Sequence, residues 1–287
     1  MPSVRDLRDR LRSLKNTQQI TKAMKQVAAA KIRRAETARK QARPYADTLS
    51  QMLRDLMGAV SSVDHPFMKP GKPGVPAGVI LMTADKGLAG AFNSNVIRAA
   101  EHYRAQHPDA RFFTVGIKAR NAVRRFAADR SGQNEATWPL NAPSKLNVAR
   151  DVAHQTAEAF VNGEISEIVL ISSKLISMLS QKPETQSLVP IERIRENVPA
   201  SGSVEFAPSP EFVLSRLLPK YLEFTIFSAM LETDAAFFAA QLLAMNNATE
   251  NAGKLIDELT IQMNNARQAA ITKELLEIVA GAEALAG

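Results

Sequence analysis

The sequence predicts an α/β chain in which long N- and C-terminal helices pair as an antiparallel coiled coil and flank a mostly parallel, Rossmann-like α/β domain. Three observations carry this. The stretch from Ser3 up to Gly58 holds no glycine and one proline, Pro44. A second helix-forming stretch, from about Glu211 to Leu285, is interrupted only by Pro219, Gly253 and Gly281. Between them, short apolar runs alternate with helical patterns. The expected division is 1–60, 61–208 and 209–287.

The first segment is dense in Ala, Leu, Lys, Arg, Gln and Met, all good helix formers. Read as one helix of roughly 55 residues, it would be on the order of 80 Å long at about 1.5 Å per residue. Its apolar seam runs Val4, Leu7, Leu11, Leu14 and is then expected to shift to Ile20, Met24 and Val27. A stripe this narrow suits a single partner helix. The C-terminal stretch supplies one: alternating steps of four and three give Phe238, Leu242, Met245, Thr249, Ala252, Ile256, Leu259, Met263, Ala266 and Ala270. All but Thr249 are apolar, which is a coiled-coil heptad. The polar interruptions Gln18, Thr21 and Thr249 weaken the seam locally, as they would if stability were traded for register.

Pro- and Gly-rich linkers at His65–Pro76 and Asn197–Pro210 bound the middle region. There, Gly78–Thr83 reads as a buried strand, Ser94–Gln106 as a helix, Arg111–Val115 as a second strand and Lys118–Ala128 as a second helix. Ser144 can cap a helix running to Asn162, Glu167–Ser172 forms a third strand, and a hairpin comes next around Gln181–Ile191.

Composition narrows the chemistry. The chain has 287 residues, 36 Lys and Arg against 29 Asp and Glu, and no cysteine, so disulfides, thiolate catalysis, Cys-ligated zinc and iron–sulfur clusters are excluded. The first 44 residues alone hold thirteen Lys and Arg and three acids. A transit peptide would avoid acids, so Asp6 and Asp9 favour mature structure. No run approaches the roughly 18 uninterrupted apolar residues of a membrane span, and any membrane role is expected to be peripheral. The turn Thr83–Gly90 (TADKGLAG) follows a strand and opens a helix, where phosphate loops sit, yet carries neither G-x-G-x-x-G nor G-x-x-x-x-G-K-[ST]. A structural turn is expected. His65, His102, His107 and His154 show no metal-ligand spacing. No metal or cofactor is expected. Finally, Ile271–Val279 (ITKELLEIV) presents Leu275, Leu276, Ile278 and Val279, which cannot all face one partner at 100° per residue. Such a tip must be surrounded, and by another protein.

These residues carry a resemblance. Asn16–Lys31 (NTQQITKAMKQVAAAK), Arg43–Ala46 (RPYA), Asp85–Asn93 (DKGLAGAFN), Gly163–Ile165 (GEI), Gln181–Pro183 (QKP) and Ala266–Gly281 (ARQAAITKELLEIVAG) together resemble the γ subunit of F-type ATP synthases. The resemblance implies a central-stalk rotor with no active site of its own. Its coiled coil would turn inside a ring of α and β subunits, coupling proton or sodium flow to ATP synthesis or hydrolysis at the β subunits. Its foot would rest on an ε subunit and a membrane ring of c subunits, peripherally at the cytoplasmic face of a bacterial inner membrane. It implies no nucleic-acid partner and no direct insertion into the membrane. It also implies a catch and bearing against the β subunits at Met24, Lys25, Arg267, Gln268, Thr272, Leu275, Leu276 and Val279. The chain departs from the family at Phe237, Gln241, Met263 and Asn265, where an acid, an Arg, a Tyr and a Lys are common. The competing readings are a basic coiled-coil nucleic-acid binder or scaffold, and an α/β enzyme using the Asp85–Gly90 turn. Against the nucleic-acid reading, the basic N-terminal segment lacks interleaved aromatics.

Overall fold

The computed structural model describes residues 3–59, 65–127, 134–191 and 209–286. By its internal contacts the chain divides into two units, Ala29–Gln241 and Met1–Ala28 with Leu242–Gly287. Two helices run through both: α1, Val4–Ala59, and α5, Pro210–Ala286, the latter uninterrupted by Pro219, Gly253 or Gly281.

The larger unit holds a five-stranded sheet ordered β3-β2-β1-β4-β5, with β1 Gly78–Met82, β2 Arg111–Val115, β3 Asn134–Trp138, β4 Ile168–Ser177 and β5 Ser180–Val189. Only β5 is antiparallel to its neighbour. Strand residues alternate between faces with period two. Val79 and Leu81 face α2 (Phe92–Gln106) and α3 (Ile117–Ala127), meeting Val96, Ala100, Ala119 and Val123. Ile80 and Met82 face α4 (Lys145–Val161) and segments of α1 and α5, meeting Val152, Leu53, Leu56, Leu214 and Leu218. With both faces covered, the strands are necessarily continuous apolar runs. Ser144 caps α4, accepting from the Asn147 N–H at 3.3 Å.

Three departures from the sequence reading stand out. Strand β3 is polar, short and at the sheet edge, and the sequence reading did not contain it. Helix α2 begins at Phe92 rather than Ser94. Strand β4 continues to Ser177, so the hairpin turns at Met178 and Leu179 and the expected hairpin region is its return strand. The first linker is partly ordered: Phe67 is buried within a 3-10 turn, Pro66–Met68, and its carbonyl accepts from the Ile191 N–H at 2.7 Å. The second expected linker lies, through residue 208, outside the described residues.

Charged groups stitch this unit's layers. Glu232 accepts two hydrogen bonds from Arg39 of α1, at 2.9 and 3.1 Å, and one from the Leu175 N–H of β4 at 2.9 Å. Lys145 reaches Asp234 at 3.4 Å and donates to the Leu140 carbonyl at 2.6 Å. Burial pushes the Asp234 carboxyl above its usual value, against the pull of Lys145. An 18-residue window of α5 is apolar enough for a membrane span by composition, but 56% of it is buried inside the protein, as in a core helix.

The smaller unit is a helix pair. Leu7 and Leu11 of α1 and Met245 and Ala252 of α5 are buried between the helices. The seam does not shift as expected: Ile20 and Val27 are 60% and 54% exposed, while Gln18, Thr21, Lys25 and Ala28 continue the same three-four spacing inward. The reason is a set of hydrogen bonds across the pair. Thr249 Oγ1 donates to Thr21 Oγ1 at 2.9 Å, which donates to the Gln18 carbonyl at 3.0 Å. Lys25 Nζ donates to Asn246 Oδ1 at 2.6 Å. The Gln18 amide lies 3.2 Å from where a β-carbon on Gly253 would stand. Apolar side chains are larger at positions 20 and 27, but the polar ones here have partners.

Candidate functional site

Two regions could carry function, one in each unit. In the larger unit it is the carboxyl edge of the sheet, where open α/β folds bind ligands beside helix N-termini. Here the protein's own groups fill it. Asp85 Oδ1 accepts from the Ile117 N–H at 3.1 Å and the Leu140 N–H at 3.3 Å, and Oδ2 accepts from the Asn141 N–H at 2.8 Å. The next N–H groups of α3 are also taken, Lys118 by the Ala84 carbonyl at 3.3 Å and Ala119 by Thr83 Oγ1 at 2.6 Å. Asn93 closes the turn, accepting from the Ala84 N–H at 3.0 Å and donating to the Lys86 carbonyl at 3.1 Å. Gly116 sits at φ +99° with Thr83 O 2.1 Å from the site of an added β-carbon, so no larger residue fits that turn. Over the edge lies α5: Ala235, Ala236, Phe237 and Phe238 pack on Ala84, Ala89 and Phe92. Phe237 and Phe92 meet edge to face, with centroids 5.6 Å apart. The first N–H groups of α3 are thus bonded to acceptors of the protein itself.

The four histidines lie apart from one another in sequence and make separate contacts. His65 Nδ1 accepts from the Phe67 N–H at 3.1 Å, and burial lowers its pKa. His107 stacks on Tyr103 with centroids 4.3 Å apart, and His102 and His154 sit beside Gln106 and Glu158 on exposed helix faces. Among the described residues no three His, Asp or Glu side chains are placed to hold a metal.

In the smaller unit the region is the end of α5. Because the helices run antiparallel with Lys25 opposite Asn246 and Thr21 opposite Thr249, Val4 falls opposite the neighbourhood of Ala266. Among the described residues, none of α1 lies opposite the last turns of α5. Hence every described side chain from Arg267 to Ala282 is exposed, Ala270 included, although the heptad counted Ala270 in the seam. Thr272 follows Gln268 by four residues, Leu275 and Leu276 follow Thr272 by three and four, and Val279 follows them by four and three, so all five share one face, and the Thr272 hydroxyl donates to the Gln268 carbonyl at 3.0 Å. Arg267, Ile271 and Ile278 lie beside that face, so apolar groups point in several directions, with Leu276 63% and Ile278 67% exposed. Large apolar side chains left bare on several sides of one helix mark an interaction surface.

Met24 and Lys25 are not part of this cluster. Both are half-buried, and Lys25 is committed to Asn246, roughly 30 Å from Arg267 along α5 at about 1.5 Å per residue. Sequence reading missed Asn246 and Glu250 as the continuation of that contact, the Asn246 amide donating to Glu250 at 2.7 Å. An asparagine beside a heptad position was the one available signal.

The ATP synthase family model matches residues 3–285. The chain is 41% identical to the ATP synthase gamma chain of Phenylobacterium zucineum and 44% identical to that of Pelotomaculum thermopropionicum, with 99% of this chain and all of each relative covered. Among solved structures it shares the fold of a chain in the Euglena gracilis mitochondrial ATP synthase, an OSCP/F1/c-ring structure. There the TM-score is 0.70 at 18% identity, over 98% of this chain and 94% of that one. A chain of the Tetrahymena thermophila mitochondrial ATP synthase central stalk and c-ring gives 0.61 at 22% identity, over 80% and 99%.

Proposed function

The chain belongs to the ATP synthase gamma-chain family, and from that premise we propose that it is the central-stalk rotor subunit of a proton- or sodium-translocating F-type ATP synthase. The observation that carries the mechanism is the end of α5, whose apolar side chains are left uncovered by the described residues. A ring of alternating α and β subunits supplies that sleeve, and turning an asymmetric helix pair inside it drives the β sites through different affinities for nucleotide. The α/β unit supplies contacts to an ε subunit and the c-subunit ring, and the complex holds the chain peripherally at the cytoplasmic face of a bacterial inner membrane. Functionally the chain divides into 1–60, 61–208 and 209–287, two shaft helices and a central domain. Stoichiometric co-purification with α and β subunits tests this reading, and a chain that purifies alone from its native membranes overturns it.

The subunit is non-catalytic. The filled carboxyl edge supports this, since its donors at α3 are already bonded. The lone chain is therefore expected to show no ATP binding at micromolar concentrations and no turnover. Calorimetry returning a micromolar affinity would contradict it.

Arg267 and Gln268 act as the catch against one β subunit, with Thr272, Leu275, Leu276 and Val279 as the bearing. Replacing both Arg267 and Gln268 by Ala is expected to move the free chain's stability by no more than about 0.5 kcal/mol, because both are exposed. In the complex the same pair should lower ATP-driven pumping severalfold, corresponding to about 1 kcal/mol or more for one charge-assisted hydrogen bond. A variant that loses stability and keeps coupling would show that this face was wrongly assigned.

A further inference from the structure

A second surface lies far from these groups in the chain, on the outer face of α3. Ala119, Ala122, Val123 and Phe126 bury one side of this helix against the sheet. The other side carries Lys118, Arg120, Arg124 and Arg125, and α3 has no acidic residue. Lys118 and Arg120 are half-buried, Arg124 and Arg125 exposed. None of the four makes a carboxylate contact among the described residues. Arg120 and Arg124 stand one turn apart, a spacing at which like charges repel. The Arg120 Nε–H is shielded from solvent and has no acceptor among the described residues. Arg104 of α2 joins the C-terminal end of the strip, donating to the Phe126 carbonyl at 3.3 Å and lying over the Phe126 ring at 5.0 Å.

We infer that this cationic strip docks a carboxylate-rich segment of another subunit of the same complex. Charge complementarity selects the partner's chemistry: paired carboxylates match the fork geometry of adjacent guanidinium groups and relieve the repulsion along the row. Two other polyanions fit less well. The one aromatic ring of α3, Phe126, is buried beneath Arg104, leaving nothing for nucleic-acid bases to stack on. Of the exposed positions of α3, Ile117, Asn121, Arg124 and Arg125, only Ile117 is apolar, and a single side chain makes no apolar face to enter a lipid surface.

The inference rests on the rotor reading for the source of its partner. The test places a photo-crosslinking phenylalanine analogue at Asn121, an exposed position, in the purified holocomplex. One adduct is expected, whose cross-linked peptide is rich in Asp and Glu. Its yield should fall at least fivefold in the Arg124→Glu, Arg125→Glu background, and also when the salt is raised to about 0.5 M, where screening shortens to a few ångströms. Unchanged melting of the charge-reversed chain shows that it still folds. No adduct in an assembled complex overturns the strip, as does an adduct with a neutral or basic peptide, or one insensitive to charge reversal. Binding of the wild-type complex, but not the charge-reversed one, to vesicles containing phosphatidylglycerol would transfer the site to lipid and also overturn it. Failure of the α and β subunits to co-purify at all would instead sink the rotor reading, so the two failures are separable.

Discussion

A chain ending at Leu275 is expected to melt within about 2 °C of the full-length chain, yet to lower coupled ATP synthesis by the assembled complex tenfold or more. The two halves have different physical sources. Among the described residues, everything removed up to Ala282 is already exposed, so little buried surface is lost on truncation. On the proposed reading, assembly would carry Leu276, Ile278 and Val279 from water into the sleeve, and full burial of such side chains is worth about 1.5 to 3 kcal/mol each before ordering costs. Losing three of them removes several kcal/mol of attachment at the tip. Paired measurements decide it, calorimetric melting of the free chain and ATP synthesis by reconstituted complex. Coupling that survives truncation would mean that the tip is not enclosed, whatever its hydrophobicity.

Phe237→Ala is expected to have the opposite profile, a large loss of stability in the free chain. Phe237 is 4% exposed, meets Phe92 edge to face and lies 5.2 Å from Phe238 between ring centroids. Truncating a packed phenylalanine costs about 3 to 5 kcal/mol, because the cavity relaxes only partly. At roughly 2 to 4 °C per kcal/mol for a chain of this size, the melting temperature should fall by about 6 to 20 °C. Phe237→Glu should be at least as costly, since the carboxylate would be buried among Ala84, Ala89 and Phe92. A loss below about 1 kcal/mol for Phe237→Ala would show that α5 does not depend on this contact with the sheet edge.

These two positions illustrate what could be read from the sequence. The apolar runs that became β1, β2 and β4 were legible because strands buried on both faces have no alternative composition. Strand β3 was not, since Asn134–Trp138 pairs on one side only and most of its residues are polar. Exposure of the α5 tip followed from periodicity, but where it begins did not. That depended on the register of two helices, fixed by contacts such as Lys25 to Asn246. The same contacts explain the error at Ile20 and Val27: the apolar side chains of one helix were followed without knowing that its polar ones had partners on the other. The role of Asp85 was equally hidden, because its three donors come from Ile117, Leu140 and Asn141, distant in sequence.

Asp85 behaves as a ligand that can never diffuse away. A group tethered to its receptor competes at an effective concentration on the order of millimolar even on a flexible linker, and higher on a rigid turn such as this one. A free anion arriving at α3 would have to outcompete a resident that rebinds faster than it can escape. The central domain thus keeps the strand order β3-β2-β1-β4-β5 with the N-terminus of α3 already held by a carboxylate of its own chain. The lock and its key are one polypeptide.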